Sequence, residues 1–370
     1  MAPTKEQVLA SLSKIAAPDG RPLAQAASLS EILVTDGKVF FSIAVDAAVV
    51  QQWEPVRKAA EQAVRAIPGV QSAMVALTAE RTQGAGPGNP PPARHGAAPR
   101  SAQAPEGVTS IIAVASGKGG VGKSTTAANL ALGLRDLGLK VGVLDADIYG
   151  PSMPKLLAIR GRPQMLGGTR LKPMEGYGLK VMSIGFLVEE ETPMIWRGPM
   201  VISALTQMLR EVEWGTLDVM VVDMPPGTGD AQLTMAQQVP LKGAVIVSTP
   251  QDLALIDARR GIAMFRRVNV PVLGIVENMS YFTCPQCGTR ADIFGHGGAR
   301  REAERLGVPF LGEIPLDMVI RETSDAGRPV VATDPDGAHA KAYRAIAARV
   351  RDQLAGEGAG KAAPKIVIEA

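Results

Sequence analysis

The sequence has 370 residues, of which 46% are hydrophobic and 20% are charged, and its formal net charge is +3. These values are ordinary for globular proteins, the length suffices for about two domains, and the small net charge gives no indication of nucleic-acid or membrane binding. Two cysteines do not make a secreted disulfide framework, and no apolar stretch approaches the roughly 18 residues of a membrane span, so we expect a cytoplasmic protein.

Residues 1–80 have the pattern of a small α+β domain. A first helix is indicated by apolar residues at helical spacing from Val8 to Ile15. The remaining predicted elements are strands at Ile32 to Val34 and Val39 to Val45, a helix from about Val49 to Ile67, and a last strand from Val70 to Leu77. The predicted order is therefore α-β-β-α-β.

Residues 81–107 interrupt this pattern. They are rich in glycine, proline and alanine and contain almost no large apolar residue that could be buried. Such a composition is typical of a flexible, partly extended linker.

From residue 108 to residue 354, short apolar runs alternate with helical patterns. The predicted strands are Ile111 to Ala115, Val141 to Leu144, Leu179 to Ile184, Val219 to Val222, Ala244 to Val247, Val272 to Val276 and Phe310 to Ile314. Continuous apolar runs are expected where helices cover both faces of a sheet. We predict a doubly wound, mostly parallel α/β domain whose ligand binds at the carboxyl ends of the strands. Residues 355–370 form a tail to which we assign no function.

A glycine-rich segment lies between the first of these strands and a predicted helix from Ala127 to Leu137. It fits the Walker A pattern of a phosphate-binding loop, in which backbone N–H groups face phosphate oxygens. The predicted nucleotide-binding residues are Gly117, Lys118, Gly119, Gly120, Val121, Gly122, Lys123, Ser124 and Thr125. Lys123 is expected to reach the β- and γ-phosphates of ATP, and Ser124 to ligate Mg²⁺.

Lys118 is a second lysine, at the start of the same loop. From that position it reaches its own phosphates poorly, so we predict that it contributes charge across a dimer interface to the nucleotide of the partner. The alternative is a solvated lysine in a glycine loop.

Acidic residues follow two other predicted strands. Phosphoryl transfer to water requires a carboxylate near Mg²⁺ and a group that orients the water. We predict that Asp223 holds Mg²⁺ and that Asp147 orients the water, whereas Asp145 either supports the metal site or caps the loop. The turn Gly227-Thr228-Gly229 is a candidate sensor of the γ-phosphate.

The last chemically distinctive segment follows the strand that ends at Val276. Asn278 is either a turn residue or a ligand of the adenine edge. Cys284 and Cys287, two residues apart, can hold one metal ion or one edge of a cluster, but Zn²⁺ and [4Fe–4S] sites usually need four ligands. A symmetric homodimer would supply four, while half of a zinc ribbon, a redox pair and an inert turn remain alternatives. The histidines, His296 among them, have no second ligand at metal spacing, so we expect solvated or capping roles.

The loop with Lys118 resembles the deviant Walker A of the dimeric ATPase class that includes the Min and Par partition ATPases. Five blocks, in order, resemble the Mrp/ApbC-type iron-sulfur cluster carrier family within that class, over Val108 to Leu354. After the loop, these are Asp145 to Ser152, Trp196 to Met200, Asp223 to Asp230, and Asn278 to Ser280 followed by Cys284 to Gly288. Residues 1–80 resemble the small MIP18-like domain of iron-sulfur assembly factors, but contain no cysteine.

The resemblance implies a carrier that binds and slowly hydrolyses ATP with Mg²⁺. Two chains would hold a [4Fe–4S] cluster between paired Cys284 and Cys287, receive it from cluster donors and transfer it to acceptor apoproteins, and Zn²⁺ at the same sulfurs is the main competitor. It also implies that Asn278 contacts the adenine.

Two other functions are open to an ATPase of this class. A partition or positioning ATPase is disfavoured because the net charge is near neutral and the cysteine pair would have no role. An ATP-gated electron donor resembling the nitrogenase iron protein is disfavoured because the cluster cysteines of that protein are far apart in sequence.

Overall fold

The computed structural model describes residues 4–26, 28–29, 32–35, 38–46, 49–70, 72–80, 104–167, 170–188 and 198–358. These residues form two compact units, the first containing those up to residue 80 together with 198–205, and the second containing 104–188 and 206–358. Most of the predicted linker, Trp196 and Arg197, and the tail from residue 359 lie outside the described residues.

The first unit has a four-stranded sheet and a buried apolar core. Its elements are α1 (Lys5–Leu12), α2 (Leu23–Ala26), β1 (Ser28–Leu29), β2 (Leu33–Thr35), β3 (Lys38–Asp46), α3 (Val50–Arg65) and β4 (Ser72–Glu80). Strand β3 pairs antiparallel with β1 and β2 and parallel with β4. The predicted order lacked α2 and β1, because elements of two to four residues are too short to show a hydrophobic period.

The second unit is built on an eight-stranded sheet with the order β16-β13-β12-β5-β11-β6-β10-β9. The strands of this unit are β5 (Val108–Ala115), β6 (Val141–Asp145), β7 (Met165–Leu166), β8 (Arg170–Leu171), β9 (Met174–Gly176), β10 (Leu179–Ser183), β11 (Leu217–Asp223), β12 (Gly243–Ser248), β13 (Val272–Glu277), β14 (Phe282–Thr283), β15 (Arg290–Ala291) and β16 (Phe310–Glu313). Of these, β7 pairs with β8 and β14 pairs with β15, each in a separate two-stranded sheet. All pairs in the large sheet are parallel except β9 with β10. The mostly parallel α/β architecture is therefore confirmed.

Helices connect these strands and bury them. They are α4 (Lys123–Asp136), α5 (Met153–Leu156), α7 (Asp230–Gln238), α8 (Asp252–Arg267), α9 (Gly298–Leu306), α10 (Met318–Asp325), α11 (Val330–Thr333) and α12 (Ala338–Gly358). Helix α6 (Gly198–Arg210) is divided between the two units after Leu205. Helix α12 continues past the predicted domain end at Leu354. It packs closely on α4 at Gly133, which has no side chain. A Cβ at this position would lie only 2.9 Å from the Cβ of Ala347. No helix in the described part of the chain is both long and apolar enough to cross a membrane.

The sheet order brings the predicted site segments to one edge. Strand β5 lies between β11 and β12, and β11 pairs in turn with β6. Asp223 at the end of β11 is in register with Asp145 at the end of β6. Because parallel strands end at the same edge, the loops after β5, β6 and β11 meet there, as expected for ligand sites in such folds.

Candidate functional site

The glycine-rich loop begins directly after β5 and passes into α4 at Lys123. Gly120 and Gly122 have φ angles of +80° and +79°, a region in which side chains other than glycine are strained. Gly122 is the N-cap residue of α4 and has no side chain to cap the helix. The first-turn N–H groups therefore have no intrahelical partner and are available to an anion.

The glycines of the loop differ in how closely other atoms approach them. A Cβ at Gly117 would lie 2.2 Å from the backbone carbon of Asp257, and one at Gly122 would lie 2.2 Å from Nδ2 of Asn278. A Cβ at Gly119 or Gly120 would meet no atom within 4 Å. The flanking glycines are thus required for packing, whereas the central pair faces open space.

Lys123 is the centre of a buried polar cluster. Its Nζ lies 2.5 Å from Oδ1 of Asp223 and donates to Oγ of Ser124 at 3.1 Å. Oδ2 of Asp147 is 3.8 Å from the same nitrogen. The structure therefore brings together four residues that were predicted separately from the loop and from two strand ends.

The donor set of this cluster fits Mg²⁺. Asp223 is fully buried, and its Oδ2 has no hydrogen-bond partner among the described residues. Burial raises the pKa of Asp223, while the neighbouring Lys123 ammonium opposes that shift. A buried carboxylate oxygen without a donor calls for a cation, and Mg²⁺ takes oxygen ligands of this kind. Asp223 and the Ser124 hydroxyl are the groups that would hold it.

Asp145 has a different environment, in which both carboxylate oxygens accept hydrogen bonds. Its Oδ1 accepts from the backbone N–H of Asp147 at 3.2 Å. Its Oδ2 accepts from the N–H groups of Ser152 and Met153 at 3.0 and 3.1 Å and from the Ser183 hydroxyl at 2.9 Å. Burial, followed by the charge of Asp223, raises the pKa of Asp145 to about 7. These contacts favour the loop-capping alternative, because both oxygens are engaged.

Asp147 lies two residues later, at the edge of the Lys123 cluster. It is buried, and burial raises the pKa of its carboxyl, with Lys123 acting in the opposite direction. Its backbone carbonyl accepts from the N–H of Gly150. The position beside Lys123 is compatible with the predicted water-orienting role, which stays a prediction.

The turn after β11 is tied to the nucleotide loop. The N–H of Gly227 donates to the carbonyl of Ser116 at 3.1 Å. The buried side chain of Gln232 donates to the carbonyl of Pro225 and so braces the turn from α7. The sequence did not single out Gln232, since a glutamine at the start of a helix carries no signal of a contact with the preceding turn.

Asn278 touches the nucleotide loop directly. Its Nδ2 donates to the carbonyl of Val121 at 2.8 Å, and the residue is buried. Its backbone N–H donates to Ser248 at the end of β12. The predicted contact with adenine stays a prediction.

Lys118 is half-buried at the start of the loop. The Ser116 hydroxyl donates to its carbonyl at 2.9 Å. Within the described residues, no carboxylate forms an ion pair with the Lys118 ammonium. The predicted action of Lys118 across a dimer interface stays a prediction.

The two cysteines lie at the tip of the hairpin formed by β14 and β15. The N–H of Cys284 donates to the carbonyl of Thr289, and the N–H of Gly288 donates to that of Cys284, both at 2.9 Å. Both thiols are free, with Cys284 half-buried and Cys287 exposed. Hydrogen bonding with Thr289, and more weakly with Cys284, lowers the pKa of Cys287. A lower pKa favours the thiolate, which is the form that binds metals.

His296 is close to Glu277 and Glu313, whose potential ligand atoms lie within 4.8 Å of one another. The spacing of these three residues in the sequence did not indicate that they lie close together. Nδ1 of His296 is 2.8 Å from the guanidinium of Arg290, and Glu313 pairs with Arg300 at 3.3 Å. Because two arginines already contact His296 and Glu313, the binding of a metal cation to this group is disfavoured.

Comparison with known proteins agrees with these observations. A family model described as the NUBPL iron-transfer P-loop NTPase matches residues 107–351, and one described as an iron-sulfur cluster assembly protein matches residues 5–76. The mouse iron-sulfur cluster transfer protein NUBPL is 56% identical over 67% of this chain and 79% of its own length. An iron-sulfur cluster carrier protein from Synechocystis is 42% identical over 95% of this chain and 98% of its own. Among solved structures, a nucleotide-binding protein from Archaeoglobus fulgidus in complex with ADP is 42% identical, with a TM-score of 0.56 over 63% of this chain and 90% of that one.

Proposed function

Because the chain belongs to the NUBPL iron-transfer P-loop NTPase family, we propose that it is an ATP-dependent carrier of [4Fe–4S] clusters. In this proposal a homodimer holds one cluster, hydrolyses ATP slowly, receives the cluster from donor proteins and transfers it to acceptor apoproteins. The observation that carries the proposal is the presence in one unit of a phosphate-binding loop and a pair of free cysteines at the tip of a hairpin.

The nucleotide part rests on the loop and on the cluster around Lys123. Lys123 neutralises charge on the β- and γ-phosphates, and the backbone around Gly119 and Gly120 accommodates them. Ser124 and Asp223 would hold Mg²⁺, which would supply further positive charge at the phosphate oxygens. Asp147 orients the attacking water beside them.

The cluster part rests on the geometry of the hairpin. Cys284 and Cys287 offer two thiolates where a [4Fe–4S] cluster takes four, so a second copy of the chain completes the ligand set. Lys118, whose ammonium has no acidic partner in the described part of its own chain, supplies charge to the nucleotide of the second copy. Nucleotide state then changes how two chains pack and how accessible the cluster is.

We also propose the division of the chain into functional segments. Residues 1–80 form the small assembly-type domain, 81–107 the linker, 108–354 the ATPase domain and 355–370 the tail. The small domain contains no cysteine and would assist transfer without binding a cluster by itself.

Anaerobic reconstitution of the full chain with iron and sulfide tests the carrier function. We expect about four irons per dimer, as a [4Fe–4S] cluster requires. Cys284→Ala and Cys287→Ala should each abolish iron uptake, because each removes two of four ligands from a symmetric site. Gln286→Ala, an exposed change in the same turn, should retain it.

Three results would contradict the carrier function. They are stoichiometric zinc with no iron uptake, full cluster retention by either cysteine variant, and iron uptake that is lost equally in Gln286→Ala. The first would indicate a zinc-stabilised ATPase, and the second would leave the partition-type alternative.

A further inference from the structure

Glu277 is a buried residue at the end of β13 whose carboxylate contacts the residues on both sides of the cysteine segment, defined here as residues 281–296. Before the segment, the Ser280 hydroxyl donates to its Oε1 at 2.6 Å. After the segment, the N–H of Gly297 donates to Oε1 at 3.2 Å and that of Ala299 to Oε2 at 2.7 Å. One side chain thus holds the two ends together.

These contacts specify a carboxylate. Gly297 is the N-cap residue of α9, so the two N–H donors belong to a helix start that favours a negative charge. Both oxygens of Glu277 accept from the three donors given above, and the groups of His296 and Glu313 lie within 4.8 Å of its carboxylate. A glutamine would place an N–H₂ group against one of these donors and lose that contact.

The same strand end is connected to the nucleotide loop. Asn278, the next residue, donates from Nδ2 to the carbonyl of Val121 at 2.8 Å. The carbonyl of Glu277 accepts from the N–H of Ile314 at 2.9 Å, and the N–H of Asn278 donates to Ser248 at 2.8 Å. Residues 277 and 278 are therefore held in place by neighbouring strand ends. The residue that contacts the nucleotide loop, Asn278, directly follows the residue that contacts both sides of the cysteine segment, Glu277.

We propose that Glu277 is a positioning residue that couples occupancy of the nucleotide loop to the exposure of Cys284 and Cys287. A nucleotide that orders the loop at Val121 also orders Asn278 and Glu277, and through them both ends of the cysteine segment. The thiols then react more slowly. This inference rests on the proposed function for the roles of the loop and the cysteines.

Glu302 provides a matched control. It is also a buried carboxylate in the same part of the unit, on α9. It pairs with Arg259 at 2.8 Å and with Arg305 at 2.5 Å, and these contacts do not include the ends of the cysteine segment. Glu302→Gln removes a buried negative charge from α9 and leaves the contacts of Glu277 in place.

The test is the rate at which iodoacetamide alkylates the two cysteines in the full chain, followed by mass spectrometry with and without Mg-ADP. Mg-ADP is chosen because it lacks the γ-phosphate, so protection by ATP-dependent dimerisation is avoided. In the parent and in Glu302→Gln, we expect Mg-ADP to slow alkylation about fivefold, the lower end of typical allosteric coupling. In Glu277→Gln, the rate should be the same with and without Mg-ADP although Mg-ADP still binds.

A parent whose thiols do not respond to Mg-ADP, or a Glu277→Gln protein that responds like the parent, would overturn the proposal. If Glu277→Gln does not fold, Ser280→Ala replaces it, since that change removes one donor and should give an intermediate response. A response equal to that of the parent would again overturn the coupling role. Iron uptake by the same samples is measured separately, so a parent that takes up no iron yet responds to Mg-ADP rejects the carrier function alone.

Discussion

Nζ of Lys123 lies 2.5 Å from Oδ1 of Asp223, in an ion pair that joins the nucleotide loop to the end of β11. Asp223 is fully buried, and the Lys123 side chain is 6% exposed. Both charges are therefore removed from water, and each depends on the other for compensation. The residue predicted to hold phosphates and the residue predicted to hold Mg²⁺ are thus already in contact.

Lys123→Ala is expected to abolish ATP binding and to destabilise the ATPase unit. Binding is lost because charge at the β- and γ-phosphates is removed, and stability falls by about 3–5 kcal/mol because Asp223 is left as an unpaired buried charge. Titration with a fluorescent ATP analogue and thermal denaturation measure the two effects.

The double variant Lys123→Ala with Asp223→Asn separates the loss of ATP binding from the loss of stability. It removes both charges, so most of the stability should return while ATP binding remains absent. Equal destabilisation of the single and double variants would show that the ion pair does not account for the loss.

Asp147→Asn is expected to spare nucleotide binding and slow hydrolysis by about 10²-fold, a typical effect of losing a group that positions or accepts a proton. Because burial raises the pKa of Asp147, hydrolysis by the parent should fall as the pH is lowered through that raised pKa. The variant should lack this acidic limb. Steady-state phosphate release across pH measures both, and parent-like turnover in Asp147→Asn would reject the water-orienting role.

Much of the large sheet is predictable from the sequence because its strands are buried along their length. Continuous apolar runs mark seven of the strands, including β5 and β11. Strand β9, the sequence Met-Glu-Gly, escaped prediction because a short antiparallel edge strand needs neither an apolar run nor alternation. The loop residues were predictable because the phosphate-binding pattern is contiguous in sequence.

Contacts between distant segments were not predictable. The donors to Asp145 include Ser183, on a different strand, and the contacts of Glu277 include Gly297, after the cysteine hairpin. Nothing in the local sequence indicates which strand end a given carboxylate meets. From the sequence alone, Asp145 could therefore either support the metal site or cap the loop, and no role could be predicted for Glu277.

Asp145 should make the ATPase unit less stable as the pH rises. Its folded pKa, about 7, is above the ordinary value of 3.8. Between these two values the unfolded chain loses the proton first, so the stabilisation present below the lower pKa is lost as the pH rises through the folded pKa.

Asp145→Asn removes this titration, and its melting temperature should decline less than that of the parent between about pH 5 and pH 8, a range that begins between the two pKa values and ends above the folded one. At neutral pH the variant should also lose about 1–3 kcal/mol, because an amide N–H₂ would face one of the donors of the loop. The chain has two units, and the thermal unfolding transition of the ATPase unit is identified as the one whose melting temperature Mg-ADP raises. Parallel pH profiles for the two proteins would show that Asp145 does not titrate in this range.

Lys118→Ala is expected to weaken ATP-dependent dimerisation while leaving nucleotide binding by the single chain intact. The Lys118 ammonium has no ion pair among the described residues, so its removal should cost little within one chain. Across the interface, loss of a charge that contacts phosphate should raise the dimer dissociation constant at least about tenfold, or 1.4 kcal/mol. Sedimentation velocity with a non-hydrolysable ATP analogue measures this constant, and Lys118→Arg, which keeps the charge, is the control. If Lys118→Ala and the parent sediment identically, Lys118 does not act across the interface, and the four-cysteine site would have to be assembled by other contacts.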